Sequence, residues 1–398
     1  MAAQLAPRQA SRLDGSAAVY PGAFLSAFAE GMFNLGIVFF LRERLGASPG
    51  LIGWFMGFSV LAYVLGCLLL QPVFERLRPQ TSLLLSLSSM TAFLLLLLFL
   101  RRLPLAFLAS GLFRLAMSFF WSPAMGWLSR GVEGENLSRR QARFNLAWST
   151  GLVTSYLLSG LASQRNSVLP LVISIAVYGG CALALAAAVA AFPSLRSAPP
   201  PAPRLDARVG GDGTPLRYPA WVGMFASYAV SGMVAAVFPL FAQDALGASR
   251  GLVGALVSSR TLAQTLGFLL LGAMSFWQFR SRWILLSQIY LALVLAAMLF
   301  ARSVTFFAVL FPLLGLGSAM NYANGLFYGI AGARQRAARM AIHESTLNGG
   351  YIFGASATGL LYQRFSMPAV VMFCLATSIG ALLTQGLLLA RLRRGVRR

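Results

Sequence analysis

The sequence contains no lysine and is poor in acidic residues, histidine and cysteine. Its 398 residues include 10 acidic residues, one histidine and three cysteines, and only 11% of all residues are charged. Soluble domains have about 25% charged residues, so this chain cannot cover a surface that faces water. One histidine and three scattered cysteines supply neither a metal-ligand set nor a disulfide framework. We therefore expect no metal and no other cofactor.

Apolar residues make up 58% of the chain, and the mean hydropathy is +0.73. A helix needs about 20 residues to cross the hydrocarbon core of a bilayer, and in lipid its backbone must be hydrogen-bonded internally. Apolar segments of that length occur twelve times, at about 21–41, 50–73, 82–100, 104–129, 144–163, 169–192, 219–242, 251–276, 283–301, 304–330, 340–362 and 367–390. The sequence predicts an all-α integral membrane protein with twelve transmembrane helices.

One long interruption, at 193–218, is rich in proline, glycine and arginine, which predicts a flexible linker between the sixth and seventh spans. It separates a six-helix bundle at 21–192 from a second six-helix bundle at 219–390. The remaining ends are an N-terminal tail at 1–20 and a basic tail at 391–398.

All 32 basic residues are arginine, and the formal net charge is +22. The arginines lie in short segments between apolar windows, as expected for contacts with lipid headgroups and not for a nucleic-acid surface. With the N-terminus inside the cell, 22 arginines fall on the inner side and 8 on the outer side. Because cytoplasmic loops are enriched in arginine, both termini and the linker are predicted to be cytoplasmic. The expected location is the cytoplasmic (inner) membrane of a bacterium.

A repeat relates the two bundles. "LGASPGLIG" at 45–53 and "LGASRGLVG" at 246–254 are identical at seven of nine positions, with an offset of 201. "LAYVLGCLLL" at 61–70 and "LAQTLGFLLL" at 262–271 share seven of ten residues at the same offset, which pairs Gly66 with Gly267. Six spans separate the copies, so the halves should be pseudo-symmetric, with the same orientation in the bilayer and a binding site between them.

In its six plus six spans, cytoplasmic linker and cytoplasmic termini, the chain resembles the major facilitator superfamily. The loop after span 2, "QPVFERLRPQ", has Glu75 and Arg76 at the acidic–basic pair of the family's gate loop. In span 4, "RLAMSFFW" matches the antiporter motif through Arg114, and in span 5, "GLVTSYLLSG" has Tyr156 where that motif has proline. The resemblance implies a cytoplasmic gate at Glu75 and Arg76 and a functional role for Arg114.

Ionisable residues inside spans cost about 2.5–3.5 kcal/mol at mid-helix, so they should face the bundle interior. The predicted proton-coupling residues are Glu30, His343 and Glu344. Polar and aromatic side chains at helical spacing predict a central substrate cavity, in which an arginine binds an anionic group. The predicted cavity residues are Asn34, Arg114, Trp121, Asn145, Trp148, Arg260, Gln264, Asn321, Tyr322, Asn324, Asn348 and Tyr351. Each buried charge could instead form an interhelical contact that only stabilises the bundle.

These features predict a secondary active transporter that moves a small molecule by alternating access, coupled to protons. A facilitative uniporter remains open, as does a receptor or scaffold that keeps the fold without transport. We expect no enzymatic activity, because the sequence shows no nucleophile–base–acid set. The expected partners are a small-molecule substrate, protons and membrane lipids, and the protein is expected to be a monomer.

Overall fold

A computed structural model describes residues 19–70, 73, 76–129, 134–192, 213–331 and 336–396. These residues form thirteen helices and no strand. The helices are α1 (Val19–Arg44), α2 (Pro49–Leu69), α3 (Pro79–Phe99), α4 (Leu103–Ser129), α5 (Gly134–Arg165), α6 (Leu169–Ala191), α7 (Arg217–Ala236), α8 (Phe238–Asp244), α9 (Arg250–Ala273), α10 (Arg282–Met298), α11 (Val304–Ile330), α12 (Arg336–Arg364) and α13 (Met367–Val396). Most of the predicted linker and of the N-terminal tail lies outside the described residues, whereas α13 extends through most of the predicted basic tail.

Helices α7 and α8 form a single crossing that is interrupted at Val237. Pro239 follows two residues later and has no backbone N–H to continue the helical hydrogen bonds. At the position equivalent to Pro239, helix α1 has Val38, and α1 runs without a break. With α7 and α8 counted together, the described helices make twelve crossings, so the predicted fold class is confirmed.

Nine of the described helices are long and apolar enough to cross a membrane, and α10 is a shorter apolar helix. Apart from the short α8, the helices that do not meet this criterion are α5 and α12. They begin at Gly134 and Arg336, before the expected starts at about 144 and 340, and their first turns are polar. Both occupy the fifth position of their half, so the two most polar crossings are pseudo-symmetric partners.

Equivalent glycines pack in the same way in the two halves. A Cβ atom on Gly66 of α2 would lie 2.7 Å from Oγ of Ser118 on α4. A Cβ atom on Gly267 of α9 would lie 2.6 Å from Cβ of Ala319 on α11. Ser118 and Ala319 differ by the same 201 residues as the glycines. The repeat in the sequence is therefore also a repeat in helix packing.

The halves meet through two symmetric helix pairs, α2 with α12 and α5 with α9. A Cβ atom on Gly53 would lie 3.0 Å from Cα of Gly359, and one on Gly254 would lie 2.9 Å from Cα of Gly160. Such close backbone approach requires residues without side chains. These contacts lie at the end of the bundle that contains the turns at 45–48 and 245–249. We call it the closed end.

Polar contacts also join the halves at the closed end. Oε1 of Gln363 accepts hydrogen bonds from Oγ of Ser48 at 3.0 Å and from the backbone N–H of Gly50 at 3.1 Å. Arg42 of α1 lies 3.5 Å from the carboxylate of Asp244, and Arg250 of α9 is paired with Glu43 of α1. The closed end is therefore held by backbone contacts and by ion pairs between the halves.

The opposite end, where residue 192 leaves and residue 213 returns, is called the linker end. Toward the linker end, the four helices of these two pairs each have a single buried residue. The stretches concerned are 60–69 of α2, 266–273 of α9, 139–148 of α5 and 339–349 of α12. These residues are Gly66, Gly267, Phe144 and His343, and each contacts a residue of its own half. Contact between the halves is thus concentrated at the closed end, and the space between them opens at the linker end.

Gly223 of α7 offers a first test of packing inside the C-terminal half. A Cβ atom there would meet Nε2 of Gln385 and would lie 2.9 Å from Oδ1 of Asn321 and 3.1 Å from Oε1 of Gln288. These amides are buried and hydrogen-bonded, so we expect Gly223→Ala to destabilise the fold by about 1–3 kcal/mol. Thermal unfolding in detergent measures the effect. Gly22, at the equivalent position of α1, has nothing within 4 Å of a Cβ atom; a Gly22→Ala variant that loses as much stability would contradict this explanation.

Candidate substrate cavity between the two halves

The N-terminal half contains a buried charge pair. Nη1 of Arg114 on α4 donates to Oε1 of Glu30 on α1 at 2.7 Å, and Nη2 donates to Oδ1 of Asn34. Glu30 and Asn34 lie one turn apart on α1, so both face the same guanidinium. The rings of Phe33 and Phe113 flank it, with centroids 5.7 and 5.8 Å from Cζ. The positive charge of Arg114 is therefore balanced within its own half.

The C-terminal half contains a buried arginine without such a balance. Arg260 on α9 is 8% exposed. Its Nη2 donates to Oγ of Ser231 on α7 at 2.7 Å and to Oγ of Ser318 on α11 at 3.2 Å. No carboxylate pairs with it among the described residues.

The two arginines lie on helices that the repeat does not pair, α4 and α9, but the repeat shows which partners of Arg114 have no counterpart in the C-terminal half. Ser231 stands 201 residues after Glu30, and Ala235 stands 201 residues after Asn34. The two side chains that neutralise and hydrogen-bond Arg114 are thus replaced in the C-terminal half by a hydroxyl and a methyl group. The arrangement of the helices is therefore pseudo-symmetric, but the charged side chains on them are not.

Two tyrosines link the arginine clusters. The phenol of Tyr156 on α5 lies near Asn34, Arg114 and Arg260. The phenol of Tyr351 on α12 also lies near both arginines. Both tyrosines are half-buried. The two arginine clusters therefore border one central space between the halves, at mid-bundle height.

Glu344 of α12 lies closer to the linker end, and its side chain is exposed. It interacts electrostatically with the phenols of Tyr63 on α2, Tyr228 on α7 and Tyr322 on α11. Since these helices come from both halves, the Glu344 carboxylate faces the central space and not the lipid. No arginine pairs with it in the part of the chain that the structure describes. One turn later, Nδ2 of Asn348 donates a hydrogen bond to the backbone carbonyl of Glu344 at 2.8 Å.

His343 differs from its neighbour Glu344. Its side chain is fully buried and packs edge-on against Tyr322, with ring centroids 5.3 Å apart. Adjacent helical residues point about 100° apart, so the two side chains cannot share one direction. The structure separates the two residues, which the sequence had grouped as one proton-coupling pair.

Asn321 and Asn324 also lie away from the central space. Both are buried in the contact between α10 and α11, where Oγ of Ser287 donates to Oδ1 of Asn321 at 3.3 Å and accepts from Nδ2 of Asn324 at 3.2 Å. Their spacing does place them on one face of α11, but α10 covers that face. In this structure they pack within the C-terminal half, whereas the sequence analysis predicted that they line the cavity.

The remaining predicted residues are distributed around the linker-end opening. Gln264 lies near the phenol of Tyr228, and Trp121 packs against Phe144 with ring centroids 6.1 Å apart. Trp148 is half-buried, whereas Asn145 and Arg76 are exposed. Glu75, the acidic partner expected in the gate loop, lies outside the described residues.

A sequence model of the Major Facilitator Superfamily matches residues 19–217 and 220–398. The chain belongs to this superfamily. The family resemblance drawn from the sequence motifs is therefore confirmed, and this superfamily member is a multi-pass membrane transporter. A search of curated proteins found no significant match.

Solved transporter structures share the fold of this superfamily member. The nucleoside transporter NupG superposes with a TM-score of 0.74 at 13% identity, covering 94% of this chain and 98% of that one. A variant of the peptide transporter POT in complex with alafosfalin gives 0.76 at 12% identity, covering 96% and 94%. An inward-facing, occupied bacterial homolog of the human lysosomal transporter Spinster gives 0.71 at 12% identity, covering 98% of each chain. At these identities the similarity establishes the fold.

Several residues around the central space of this superfamily member were not expected from the sequence. They are Tyr63, Tyr228, Ser231 and Ser318, together with Tyr156, which was noted only as a departure from a motif. Ser231 could have been found by applying the offset of 201 to Glu30. The tyrosines are isolated in apolar helices, and no local pattern marks them.

Proposed function

We propose that this protein is a secondary active transporter that couples a small molecule to protons by alternating access. The observation that supports this most is the contrast between two intramembrane carboxylates. Glu30 is held by Arg114 at 2.7 Å, whereas Glu344 is exposed to the central space without an arginine partner among the described residues. A carboxyl group that is accessible and free of a cation can exchange protons during a transport cycle.

The arrangement of the halves supports alternating access. Their contacts are concentrated at the closed end, and the arginine distribution favours a cytoplasmic linker end. In this proposal the structure is the inward-open conformation. Rocking of the halves separates the glycine contacts at the closed end and brings the linker ends of α2, α5, α9 and α12 together.

Two other functions are distinguishable. A facilitative uniporter would use the same cavity but would not need proton exchange at Glu344. A receptor or scaffold would be expected to pair its buried charges tightly, as Arg114 and Glu30 do. Arg260 and Glu344 are not paired in this way within the described structure, which favours transport over a purely structural role.

The test uses purified protein in liposomes with an imposed pH gradient. Candidate nucleosides, dipeptides and aromatic carboxylates are screened by accumulation, and proton movement is followed with an internal pH-sensitive dye. Glu344→Gln keeps the size and hydrogen bonding of the side chain but cannot titrate. We expect gradient-driven accumulation to fall at least tenfold, while exchange at equal pH on both sides continues.

Ser345→Ala is the matched control, because Ser345 is an exposed neighbour without a titratable group. It should accumulate substrate like the wild type. If Glu344→Gln accumulates substrate against its gradient as well as the wild type does, Glu344 is not the proton carrier and the uniporter is favoured. If accumulation and exchange decline together, Glu344 has a structural role.

A further inference from the structure

We propose that the substrate carries an anionic group, a carboxylate or phosphate, that binds to Arg260. This inference rests on the proposed transport function and names the substrate class for the same cavity. Arg260 is buried, and its contacts within the described structure are the hydroxyl groups of Ser231 and Ser318. A buried guanidinium without a counter-ion is costly in a low-dielectric site. An anion that enters the cavity would serve as the counter-ion of Arg260.

The N-terminal half shows what a neutralised arginine looks like in this framework. There Glu30 neutralises the guanidinium of Arg114 and Asn34 hydrogen-bonds it, so Arg114 needs no further anion to balance its charge. Ser231, at the position of Glu30, is shorter and uncharged. Of the two arginines that border the central space, Arg260 is therefore the anion-binding group, and Arg114 is the paired one.

The surroundings of Arg260 favour an organic anion with an aromatic or apolar body. The phenols of Tyr156, Tyr228 and Tyr351 lie near Arg260, and each ring is half-buried. Aromatic rings supply large apolar contact area, and their hydroxyl groups can hydrogen-bond a polar substituent. Phenylacetate and phenyl phosphate carry the proposed group, and phenylacetamide is the neutral analogue.

The test measures binding to the full-length protein in detergent by thermal stabilisation and by titration calorimetry. We expect phenylacetate or phenyl phosphate to bind at least tenfold more tightly than phenylacetamide. Arg260→Gln should abolish this preference. Ser231→Glu should also abolish it, because the new carboxylate would pair with Arg260 as Glu30 pairs with Arg114.

Stability without ligand separates a binding role from a structural one. Arg260→Gln removes a buried charge that has no counter-ion, so its melting temperature should equal or exceed that of the wild type. Arg114→Gln leaves Glu30 without its cation and should melt at a lower temperature. If Ser231→Glu does not fold, Arg260→Gln alone decides the assignment.

The inference is overturned if the anions bind no better than phenylacetamide, if none of the three probes binds, or if Arg260→Gln keeps the anion preference. It is also overturned if Arg260→Gln melts well below the wild type, which would show a structural arginine. A neutral substrate accumulated under the pH gradient in a manner dependent on Glu344 would refute this inference but support the transport proposal. Arg260-dependent anion binding without any accumulation would support this inference but refute the transport proposal.

Discussion

Glu30→Gln is expected to lower the free energy of unfolding by about 3–5 kcal/mol, the usual cost of removing one partner from a buried ion pair. Glu30 accepts from Arg114 at 2.7 Å, and Arg114 is 6% exposed. The substitution leaves a guanidinium without a counter-ion in the bundle interior, because the new amide and Asn34 can hydrogen-bond it but cannot neutralise it. Unfolding in mixed detergent–SDS micelles, followed by circular dichroism, measures this change.

The double variant Glu30→Gln/Arg114→Gln is the control for this prediction. Two amides can hydrogen-bond to each other and carry no charge, so most of the lost stability should return. The two single changes would then be strongly non-additive, as expected for residues in direct contact. A Glu30→Gln variant as stable as the wild type would show that the pair does not stabilise the fold, and would reopen a proton-carrying role for Glu30.

Alanine at Gly53 and Gly254 together is expected to disfavour the conformation in which the closed end is shut. A Cβ atom on Gly254 would lie 2.5 Å from the carbonyl oxygen of Tyr156, and one on Gly53 would lie 3.0 Å from Cα of Gly359. Because the obstructing atoms are backbone atoms, the helices themselves must separate. A cost of about 2 kcal/mol, typical of overpacking, shifts the conformational equilibrium by about 30-fold.

The distance across the closed end reports this shift. Spin labels at Arg165→Cys and Ala245→Cys, both exposed positions on opposite halves, are placed in a variant without Cys67, Cys181 and Cys374. The double alanine variant should show a longer distance distribution than its parent. Gly180→Ala/Gly386→Ala is the control, since nothing lies within 4 Å of a Cβ atom at either position. An unchanged distance in the Gly53/Gly254 variant would contradict the role of these glycines in closing this end.

The fold was predictable because the repeat and the span lengths do not depend on which helices touch. The offset of 201 paired Gly66 with Gly267 before any contact was known, and both pack against equivalent residues. The break at Val237 was not predicted, although Pro239 is visible in the sequence, because the apolar run continues through it.

The site was only partly predictable, since helical spacing defines a face but not what the face contacts. Asn321 and Asn324 share a face of α11 that packs on α10 through Ser287. Tyr322, between them in sequence, packs against His343 of α12 instead. Glu30 pairs with Arg114 across 84 residues of chain, and this pairing determines which arginine lacks a counter-ion. Because the pairing depends on packing between helices, the sequence alone does not reveal it.

The polarity of α5 and α12 has a consequence for how the chain enters the membrane. Neither is apolar enough to be recognised as a crossing by length and composition alone, so neither is expected to leave the translocon for lipid by itself. Helix α5 packs against α1, and α12 packs against α7 and α2. Each of these partners precedes it in synthesis, and each is apolar enough to insert first. During biogenesis the earlier helices are therefore expected to hold the later polar ones in the bilayer. A chain from which α1 is deleted should fail to retain α5, and one from which α7 is deleted should fail to retain α12.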